Sequence, residues 1–323
     1  MSAIIVTDTH CGIYNASPLW HNIVIKLFKH IADTCIRENI SEIIHLGDWF
    51  HDRKSLNIQT IQTCLDIMDI IKDFHISIVI GNHDLFYKNS IKPTSLSFIQ
   101  MFDNVEIIDM NKTIRLDGYK VSLVPWIADE IPNTDILFGH LEITNSNILQ
   151  RFKYSENDFK HCGKVYSGHF HTPMKFANIE YIGAPYHMTF NDSGSRGYYI
   201  FDNGDLRFVE FENFPKFKKI IASLDNIDSD EIKDNIVKLI YTEDFGTEGN
   251  QKIIDLVQSF KPLQLYTDFS QMSIKSDNGF EIIDNIEIVD NKQLLFNYID
   301  LKKHPSHINT NTLKRIVSSL LTE

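Results

Sequence analysis

The sequence predicts an α/β domain built in layers, followed by a smaller α+β domain and two terminal helices. Three observations lead to this prediction. Short β-rich runs alternate with helical patterns in the first half of the chain, which is typical of an α/β fold. Polar motifs, most of them containing glycine, follow most of the predicted strands, and they stop before about Phe211, where a βαβ-like stretch begins. We therefore expect domains at residues 1–212 and 213–275, and a helical region at 280–323.

The elements of the first domain follow from local signals. Ser17 is a suitable N-cap and Pro18 suits the first helical position, so an amphipathic helix is expected to run to about Glu38. A second helix is expected at Ser55–Asp73, and its apolar face consists of Ile58, Ile61, Leu65 and Met68. Strands are expected at Ala3–Thr7, Ser41–Leu46, Ile76–Ile80, Val105–Asp109, Tyr119–Val124, Asp135–Phe138, Lys164–Tyr166 and Gly197–Phe201.

The second half of the chain predicts three strands, three helices and a linker. The strands are Phe217–Ala222, Ile236–Tyr241 and Leu263–Thr267; the helices are Gly249–Phe260, Asn291–Ile299 and Thr310–Leu321; the linker is Lys275–Gly279. The last helix carries an apolar stripe at positions i, i+3, i+4, i+7 and i+8. Two interpretations stay open: this stripe packs on its own domain, or it docks on a partner protein.

Composition excludes several classes of protein. Hydrophobic residues make up 43% of the 323 residues, so wholesale disorder is not expected. No apolar run approaches the ~20 residues of a membrane helix, and the N-terminus has no signal-peptide pattern, so a cytoplasmic protein without membrane association is expected. The four cysteines form no CxxC pair, which favours reduced thiols. A net charge of −12 argues against a protein that holds DNA by its overall field.

Five short motifs are candidates for a functional site, and most come directly after a predicted strand. They are Asp8-Thr9-His10, Gly47-Asp48-Trp49-Phe50-His51, Gly81-Asn82-His83-Asp84, Gly139-His140 and Gly168-His169-Phe170-His171. Ligands of open α/β sheets bind beyond the carboxyl ends of the strands, so these side chains are expected to share one pocket. Each motif alone has an ordinary structural interpretation, but all five in this order favour a common site.

The residue types in these motifs suit two metal ions. Carboxylate, imidazole and amide oxygen are ligands for manganese, iron or zinc, and no thiolate is required. Asp48 is the natural bridge, because one carboxylate can give one oxygen to each ion. Two ions ~3.5–4 Å apart can activate a hydroxide and neutralise a phosphate oxygen together. The sequence therefore predicts a dinuclear site for phosphodiester hydrolysis.

The motif residues resemble those of the calcineurin-like metallophosphoesterases. Within that superfamily, Gly47–His51 is similar to the SbcD-type double-strand-break-repair nuclease subunits, which often carry histidine at the last position. Protein phosphatases of the superfamily use Asp-Arg-Gly and Gly-Asn-His-Glu instead, so this chain departs from them at both places. Between residue 3 and about 201 the chain also resembles the recombination endonuclease subunits of T-even-type phages, through Gly81–Asn89, Val124–Trp126, Tyr166–Thr172, Tyr181–Tyr186 and Arg196-Gly197.

This resemblance implies a fold and a set of residue roles. The fold would be a layered β-sandwich flanked by helices, with a small α+β capping domain and C-terminal helices. His83 would be the catalytic histidine with Asp84 orienting its ring, and His51 would contact the scissile phosphate or help to rotate the DNA end. One metal ion would be held by Asp8, His10, Asp48 and His171, and the other by Asp48, Asn82, His140 and His169.

The resemblance also implies cofactors and partners. The family uses manganese, with magnesium as a second candidate, and it pairs with an SbcC-type ABC ATPase that carries a coiled coil. It degrades double-stranded DNA from its ends with ATP and nicks single strands. It dimerises through nuclease-domain helices, here Pro18–Glu38 and Ser55–Asp73. A phage-encoded member would work in the host cytoplasm.

The acidic charge is compatible with this assignment if DNA is bound locally. Bound divalent ions would offset part of the charge, and basic residues near the motifs are candidates for DNA contacts: Arg53, Lys54, Lys88 and Lys92. We expect tight DNA engagement to require the ATPase partner, which residues 280–323 would bind.

Two alternatives differ in class from a DNA nuclease. A small-substrate phosphodiesterase, for example one acting on cyclic nucleotides, would use the same metals but needs no second domain. A non-catalytic scaffold of the same fold would have lost metal ligands, and none of the expected ones is missing.

Overall fold

The computed structural model describes residues 2–87, 89–144, 153–224 and 227–271, together with Thr312 and Lys314. Residues Met1–Met272 form one compact unit and Ser273–Glu323 form a second. The expected linker and the two expected C-terminal helices lie outside the described residues, apart from the two positions just named.

The described residues form the following strands and helices. The strands are β1 (Ala3–Val6), β2 (Glu42–His45), β3 (His75–Val79), β4 (Val105–Ile108), β5 (Lys112–Leu116), β6 (Tyr119–Val124), β7 (Ile136–His140), β8 (Ile143–Thr144), β9 (Tyr154–Ser155), β10 (Lys164–Gly168), β11 (Met174–Phe176), β12 (Ile179–Tyr181), β13 (Gly197–Asp202), β14 (Asp205–Glu210), β15 (Phe217–Ile221), β16 (Ile236–Ile240) and β17 (Gln264–Asp268). The helices are α1 (Ile13–Ala16), α2 (Pro18–Glu38), α3 (Ile58–Ile70), α4 (Ser229–Ile232) and α5 (Gly246–Ser259), with 3₁₀ helices at Ser95–Met101 and Glu156–Phe159.

Two six-stranded sheets organise the first two hundred residues. The first has the order β14-β13-β1-β2-β3-β4 and the second the order β11-β12-β10-β7-β6-β5. Strands β1 to β4 are parallel, and so are β6, β7, β10 and β12. Because parallel neighbours end at the same edge of a sheet, the segments that follow them are brought side by side.

The two sheets pack face to face around a shared core. Along β1, Ala3 and Ile5 join the cluster that also holds Val121 and Phe138 of the second sheet. The alternate residues Ile4 and Val6 join the cluster under the helices. Successive strand side chains point to opposite faces, so both faces of β1 are buried. This arrangement confirms the predicted layered β-sandwich flanked by helices.

Helix α2 begins and ends where the sequence predicts. Pro18 occupies the first turn, and the chain leaves the helix at Asn39, which has a left-handed φ of 55°. The Asn39 N–H returns to the carbonyls of Cys35 and Ile36. The predicted helix Pro18–Glu38 is confirmed.

Helix α3 has a different buried face from the predicted one. Asn57 caps it by accepting a hydrogen bond from the Thr60 N–H at 2.8 Å. Its buried residues are Thr60, Thr63, Cys64, Ile67 and Met68. Ile58 is 85% exposed and Leu65 is 39% exposed, so the predicted face was wrong at these two positions, whereas Met68 is buried and Ile61 is half-buried. The helix carries apolar residues on more than one side, and packing against α2 decided which side turned inward.

Several strands were not predicted because they lie at or near sheet edges. Strands β5, β11 and β14 are edge strands of the two large sheets. The residues of β14 are mostly exposed, without the apolar alternation that predicts a strand. The predicted ends of β7 and β10 were also short, since His140 and Gly168 are the last residues of their strands.

Residues 213–271 form a separate small sheet. Its order is β15-β16-β17, and all three strands are parallel. Helix α5 connects β16 to β17, and Ile253 and Val257 of this helix pack on Val237 and Leu239. The expected strands and helix are formed, with the helix starting earlier, at Gly246. In the part of the chain that the structure describes, no helix is long and apolar enough to cross a membrane.

Candidate metal centre

The five polar motifs meet where the carboxyl ends of β1, β2, β3, β7 and β10 come together. Main-chain hydrogen bonds tie the first two motifs side by side, from the Asp8 N–H to the Gly47 carbonyl and from the His10 N–H to the Asp48 carbonyl, both at 3.0 Å. Asp8, His10, Asp48 and His169 all have positive φ, between 42° and 91°. Such φ values are strained for residues other than glycine, and strain of this kind is concentrated at functional sites.

Two glycines allow the motifs to approach this closely. A Cβ atom at Gly81 would lie 2.3 Å from both the N and Oδ1 atoms of Asp48. A Cβ atom at Gly168 would lie 2.0 Å from the Thr7 hydroxyl and 2.9 Å from Asp8 Oδ2. Any side chain at either position would therefore push the predicted ligands apart.

The first pocket is formed by Asp8, His10, His171 and one oxygen of Asp48. The Nε2 atoms of His10 and His171 are 3.0 Å apart. His10 Nε2 lies 3.8 Å from Asp8 Oδ1 and 3.7 Å from Asp48 Oδ2. His171 Nε2 lies 3.9 Å from Asp8 Oδ1. The structure thus brings together the four residues predicted for one metal ion.

The second pocket is formed by the other oxygen of Asp48 with His140, Asn82 and His169. Asn82 Oδ1 lies 3.0 Å from His140 Nε2 and 3.0 Å from His169 Nδ1. His140 Nε2 lies 3.4 Å from Asp48 Oδ1. Because the two Asp48 oxygens face different pockets, this carboxylate occupies the position of a bridge between them.

The donor atoms of both pockets fit divalent cations. Asp8 Oδ1 is buried without a hydrogen-bond partner in the described residues, although Asp8 Oδ2 accepts from the Thr7 hydroxyl at 2.7 Å and the His169 N–H at 3.1 Å. A buried carboxylate oxygen left unpaired is costly, and a cation in the first pocket would satisfy it. The donor set contains imidazole nitrogens and oxygens without thiolate, which suits manganese, iron or zinc.

The tautomer of His140 is set from outside the pocket. Its Nδ1–H donates to the Leu46 carbonyl at 2.7 Å, which leaves Nε2 to face Asp48 and Asn82. A backbone acceptor on the far ring nitrogen is the usual way of orienting a metal-binding histidine.

Burial and mutual charge determine the protonation of this cluster. Burial raises the pKa of Asp8. Burial would also raise the pKa of Asp48, but the nearby imidazoles, His140 first, lower it below its ordinary value. Burial lowers the pKa of His10, and it lowers that of His169 to about 3. The imidazoles of His10 and His169 are therefore neutral at pH 7, with lone pairs that can bind a cation.

His140 behaves differently from the other ligand histidines. Burial alone would lower its pKa, but the adjacent carboxylate of Asp48 raises it to about 9. A cation binding at Nε2 must displace the proton that this pair holds.

Two histidines stand at the mouth of the site, the exposed His51 and the half-buried His83. The His83 N–H donates to Asp48 Oδ1 at 2.7 Å, and its ring Nδ1 donates to the His51 carbonyl at 2.7 Å. The rings of His51 and His83 stack with centroids 5.6 Å apart, and His51 Nδ1 lies 3.4 Å from His10 Nδ1. Both predicted catalytic histidines therefore border the metal pockets.

Asp84 does not orient the ring of His83, contrary to the predicted role. Its Oδ2 accepts from the N–H groups of Asp48 and Gly81, both at 2.9 Å. Its Oδ1 accepts from those of Trp49 at 3.0 Å and Phe50 at 3.3 Å. The fully buried carboxylate of Asp84 thus holds the main chain around Asp48. The ring of His83 is oriented by the His51 carbonyl instead. Burial and, to a smaller extent, the charge of Asp48 raise the pKa of Asp84 to about 7, although the main-chain donors oppose this rise.

The residues predicted to bind DNA lie partly beside the site. Arg53 and Lys54 line a cavity of about 590 Å³ that is also lined by His51 and His83. Lys92 is exposed in the loop after β3, and Lys88 lies outside the described residues.

Sequence reasoning missed three residues that support the ligands. His45 is fully buried, accepts from the Gly47 N–H at 3.2 Å through Nδ1 and meets the Thr9 hydroxyl at 3.0 Å through Nε2. Glu142 lies 3.9 Å from His169 Nε2. The ring of Trp126 packs 5.0 Å from that of His169. Only the position of His45, directly before Leu46-Gly47-Asp48, was visible in the sequence.

Comparison with known proteins gives a family and one relative. The family model described as calcineurin-like phosphoesterase matches residues 1–173. The protein "Exonuclease subunit 1" of Enterobacteria phage T4 is 30% identical over 221 residues, which are 62% of this chain and 65% of that protein. The chain thus covers 65% of the length of this relative, which is slightly less than two thirds.

Two solved structures resemble the chain more distantly. The nuclease MPE of Pseudomonas putida has a TM-score of 0.33 and 13% identity, covering 64% of this chain and 87% of that one. A protein of unknown function from Aquifex aeolicus has a TM-score of 0.27 and 18% identity, covering 45% of this chain and 81% of that one. At these TM-scores neither structure adds to the family assignment.

Proposed function

The chain belongs to the calcineurin-like phosphoesterase family, as its motifs predicted. On this premise we propose that it is a metal-dependent DNA nuclease that uses two divalent ions. One observation carries the proposal: two adjacent pockets of imidazole and oxygen donors share the buried carboxylate of Asp48. Such a pair of sites is what phosphodiester hydrolysis needs, since both the nucleophile and the phosphate are anionic.

The residues of the two pockets would each hold one ion. Asp8, His10 and His171 would hold the first, Asn82, His140 and His169 the second, and Asp48 would bridge them. When bound, the ions would supply an activated hydroxide and neutralise charge on the phosphate. We propose manganese as the metal, with magnesium as the second candidate, because the donors are of hard and borderline type.

His83 would act on the substrate as a catalytic residue. Its Nδ1–H is held by the His51 carbonyl, so Nε2 is the ring atom available to substrate. In its protonated form Nε2 would donate to a phosphate oxygen or to the leaving oxygen. His51, stacked on His83, would contact the same phosphate. Asp84 would be a positioning residue that acts through the main chain of Asp48.

We propose double-stranded DNA ends and single-stranded DNA as the substrates, in DNA recombination and double-strand-break repair in the cytoplasm. The relative in phage T4 is named as an exonuclease subunit, and this supports both a nuclease activity and a partner chain. The net charge of −12 also supports a partner, because the overall field of a chain with this charge opposes the binding of DNA. An SbcC-type ABC ATPase bound through residues 280–323 would supply it.

We also propose a homodimer formed through α2 and α3. Ile58 and Leu65 are exposed and seven residues apart, so they lie on one face of α3. Ile36 near the end of α2 is also exposed. A second copy would cover these side chains. The mass of the chain in solution, compared with that of a Leu65→Glu variant, tests this: the variant should be monomeric.

The nuclease activity is tested with the full chain and defined substrates. The chain with Mn²⁺ should hydrolyse bis(p-nitrophenyl) phosphate and cut single-stranded DNA, and chelation should abolish both. Digestion of linear duplex should increase when a candidate ATPase and ATP are added. A His83→Ala variant should lose roughly 100-fold in kcat while it binds the same number of metal ions.

Three outcomes would contradict the proposal. Faster hydrolysis of cyclic nucleotides than of any DNA would favour the small-substrate phosphodiesterase. Equal rates for His83→Ala and the wild type would favour a contaminating activity and hence a non-catalytic scaffold. Nanomolar binding of duplex DNA by the isolated chain at physiological salt would remove the need for a partner.

A further inference from the structure

A second, smaller cavity adjoins the entrance of the metal centre. It measures about 190 Å³ and is lined by Phe86, Pro93 and residues of the loop that carries Arg53 and Lys54. The same loop lines the larger cavity beside His51 and His83. Arg53 and Lys54 therefore lie between the histidines of the proposed reaction and the ring of Phe86.

Phe86, which lines this cavity, forms an exposed aromatic pair with Tyr87. Phe86 is 39% exposed and Tyr87 is 54% exposed. Their rings contact each other at right angles, with centroids 4.7 Å apart and an interplanar angle of 79°. An edge-to-face pair of this kind is a stable arrangement of two rings, and it leaves ring surface open to a further flat group.

The backbone holds this pair at a fixed place relative to the catalytic histidine. Phe86 is three residues from His83, so their Cα atoms are at most about 11 Å apart. Leu85 pairs with Thr94 as a β-bridge, and the Phe86 N–H donates to the Pro93 carbonyl at 3.1 Å. The Thr94 hydroxyl donates to the Asp84 carbonyl at 2.8 Å. The loop is thus anchored to the same residue that holds the main chain around Asp48.

The charge beside the rings suits a phosphate chain. Among the described residues, neither Arg53 nor Lys54 forms an ion pair. The nearest acidic neighbour in sequence, Asp52, already accepts hydrogen bonds from the Lys54 N–H and the Ser55 hydroxyl. Two cations without an ion pair to any described residue, next to this exposed ring pair, match the pattern of single-strand recognition, in which cations follow the backbone and aromatic rings stack on bases.

We propose that Phe86 and Tyr87 form a stacking platform for an unpaired nucleobase of DNA close to the scissile phosphate, with Arg53 and Lys54 on the intervening phosphates. The inference rests on the proposed nuclease function and specifies its substrate. A base in an intact duplex is covered by its neighbours on both faces, whereas a base in a single strand or a frayed end is free to stack on protein. The platform therefore selects unpaired ends and single strands.

Binding of short single strands to the full chain in EDTA, followed by fluorescence anisotropy, tests the platform. A set of strands carries one abasic position each, moved along the sequence. The wild type should lose affinity on the order of tenfold when the missing base is the one on the platform. Phe86→Ala and Tyr87→Ala should bind the complete strand more weakly by a similar factor and should no longer distinguish that abasic strand.

Two further variants separate stacking from general damage. Phe86→Trp, unlike Phe86→Ala, should keep both the affinity and the abasic discrimination of the wild type, since a larger ring can stack equally well. Phe208→Ala removes a ring of similar exposure, 41%, from β14 at the opposite edge of the first sheet, and it should bind like the wild type.

The outcomes separate this inference from the proposed function. A flat abasic scan of the wild type, or alanine variants that bind like it, overturns the platform even if the wild type hydrolyses bis(p-nitrophenyl) phosphate with Mn²⁺. Absence of that hydrolysis overturns the nuclease proposal whatever the scan shows. The scan uses the wild type, so it decides the question even if an alanine variant does not fold.

Discussion

The floor and the rim of the candidate site are built in different ways. The floor consists of Asp8, His10, Asp48 and His140, all of which are buried at the ends of strands. The rim consists of residues on connecting segments, where His51 and Lys54 are exposed and Arg53 is half-buried. Hydrogen bonds from buried main chain and side chains fix the floor, so its geometry belongs to the fold. The rim is held at fewer points, and its residues gain their role from the substrate.

The difference leads to an ordering of effects. Changes in the floor should alter metal binding and every activity together. Changes in the basic residues of the rim, Arg53 and Lys54, should leave metal binding intact and alter only the handling of DNA. The predictions below run from the largest expected effect to the smallest.

Substitution of the bridge should have the largest effect. Asp48→Asn removes the charge that both pockets share, and the several kcal/mol of Lewis-acid stabilisation then lost corresponds to roughly 10³- to 10⁴-fold in rate. Calorimetric titration with Mn²⁺ should show fewer than two ions bound tightly, and hydrolysis of a model diester should fall by this factor. A variant with two tight ions and a normal rate would show that Asp48 is not the bridge.

Substitution of the residue beneath the bridge should have an intermediate effect. In Asp84→Asn one oxygen and an amide group replace two oxygens that accept from four main-chain N–H groups. We expect a loss of about 10- to 100-fold in metal affinity or activity and a destabilisation of about 1–3 kcal/mol.

A matched control exists for this variant. Asp158 also accepts a main-chain hydrogen bond, from the Ser155 N–H, but in the capping box of the 3₁₀ helix Glu156–Phe159. Asp158→Asn should lower thermal stability slightly and leave Mn²⁺ affinity unchanged. Equal Mn²⁺ affinities for Asp84→Asn and the wild type would refute the positioning role of Asp84.

The buried histidine under the floor should make stability depend on pH. Burial and, to a smaller extent, the charge of His140 lower the pKa of His45 from an ordinary value of 6.5 to about 3, although Asp48 opposes this. Because the unfolded chain binds the proton more readily, the contribution of His45 to stability is present above pH 6.5 and is lost as the pH falls from 6.5 toward 3. The loss approaches about 1.4 kcal/mol per pH unit in that window.

Thermal unfolding in EDTA between pH 7 and pH 4 measures this contribution. The curve of a His45→Gln variant should be flatter than that of the wild type. His10 and His169 titrate in the same direction in both proteins, so the difference between the curves isolates His45. Parallel curves would mean that His45 is protonated in the folded chain.

Substitutions in the rim should have the smallest effect, and only with DNA. Arg53→Gln and Lys54→Gln should each weaken binding of single strands and reduce the slope of log affinity against log salt by about 0.7, since each removes one phosphate contact. Mn²⁺ stoichiometry should stay as in the wild type. Lys252→Gln, on exposed α5, is the control and should leave the slope unchanged.

Much of the site could be predicted because its chemistry is encoded locally. Motifs such as Gly81–Asp84 combine a turn residue with ligands, and the strand before each motif sets where the ligands lie. The role of Asp84 could not be predicted, since its four donors come from two separate loops. The support from His45 was missed for a similar reason. A histidine inside an apolar strand gives no sign of the groups that it contacts, which here are the Thr9 hydroxyl and the Gly47 N–H.

The sequence by itself determined the layered α/β fold, the helix Pro18–Glu38, and the residues gathered in the two pockets. These follow from apolar periodicity, capping residues and strand-end motifs, all of which act over a few residues. Tertiary structure alone decided which face of α3 is buried, which strands form the sheet edges, and which atom orients the ring of His83. Those outcomes depend on packing and hydrogen bonds between segments far apart in the chain. The local sequence is compatible with more than one arrangement of similar energy, so it does not decide between them.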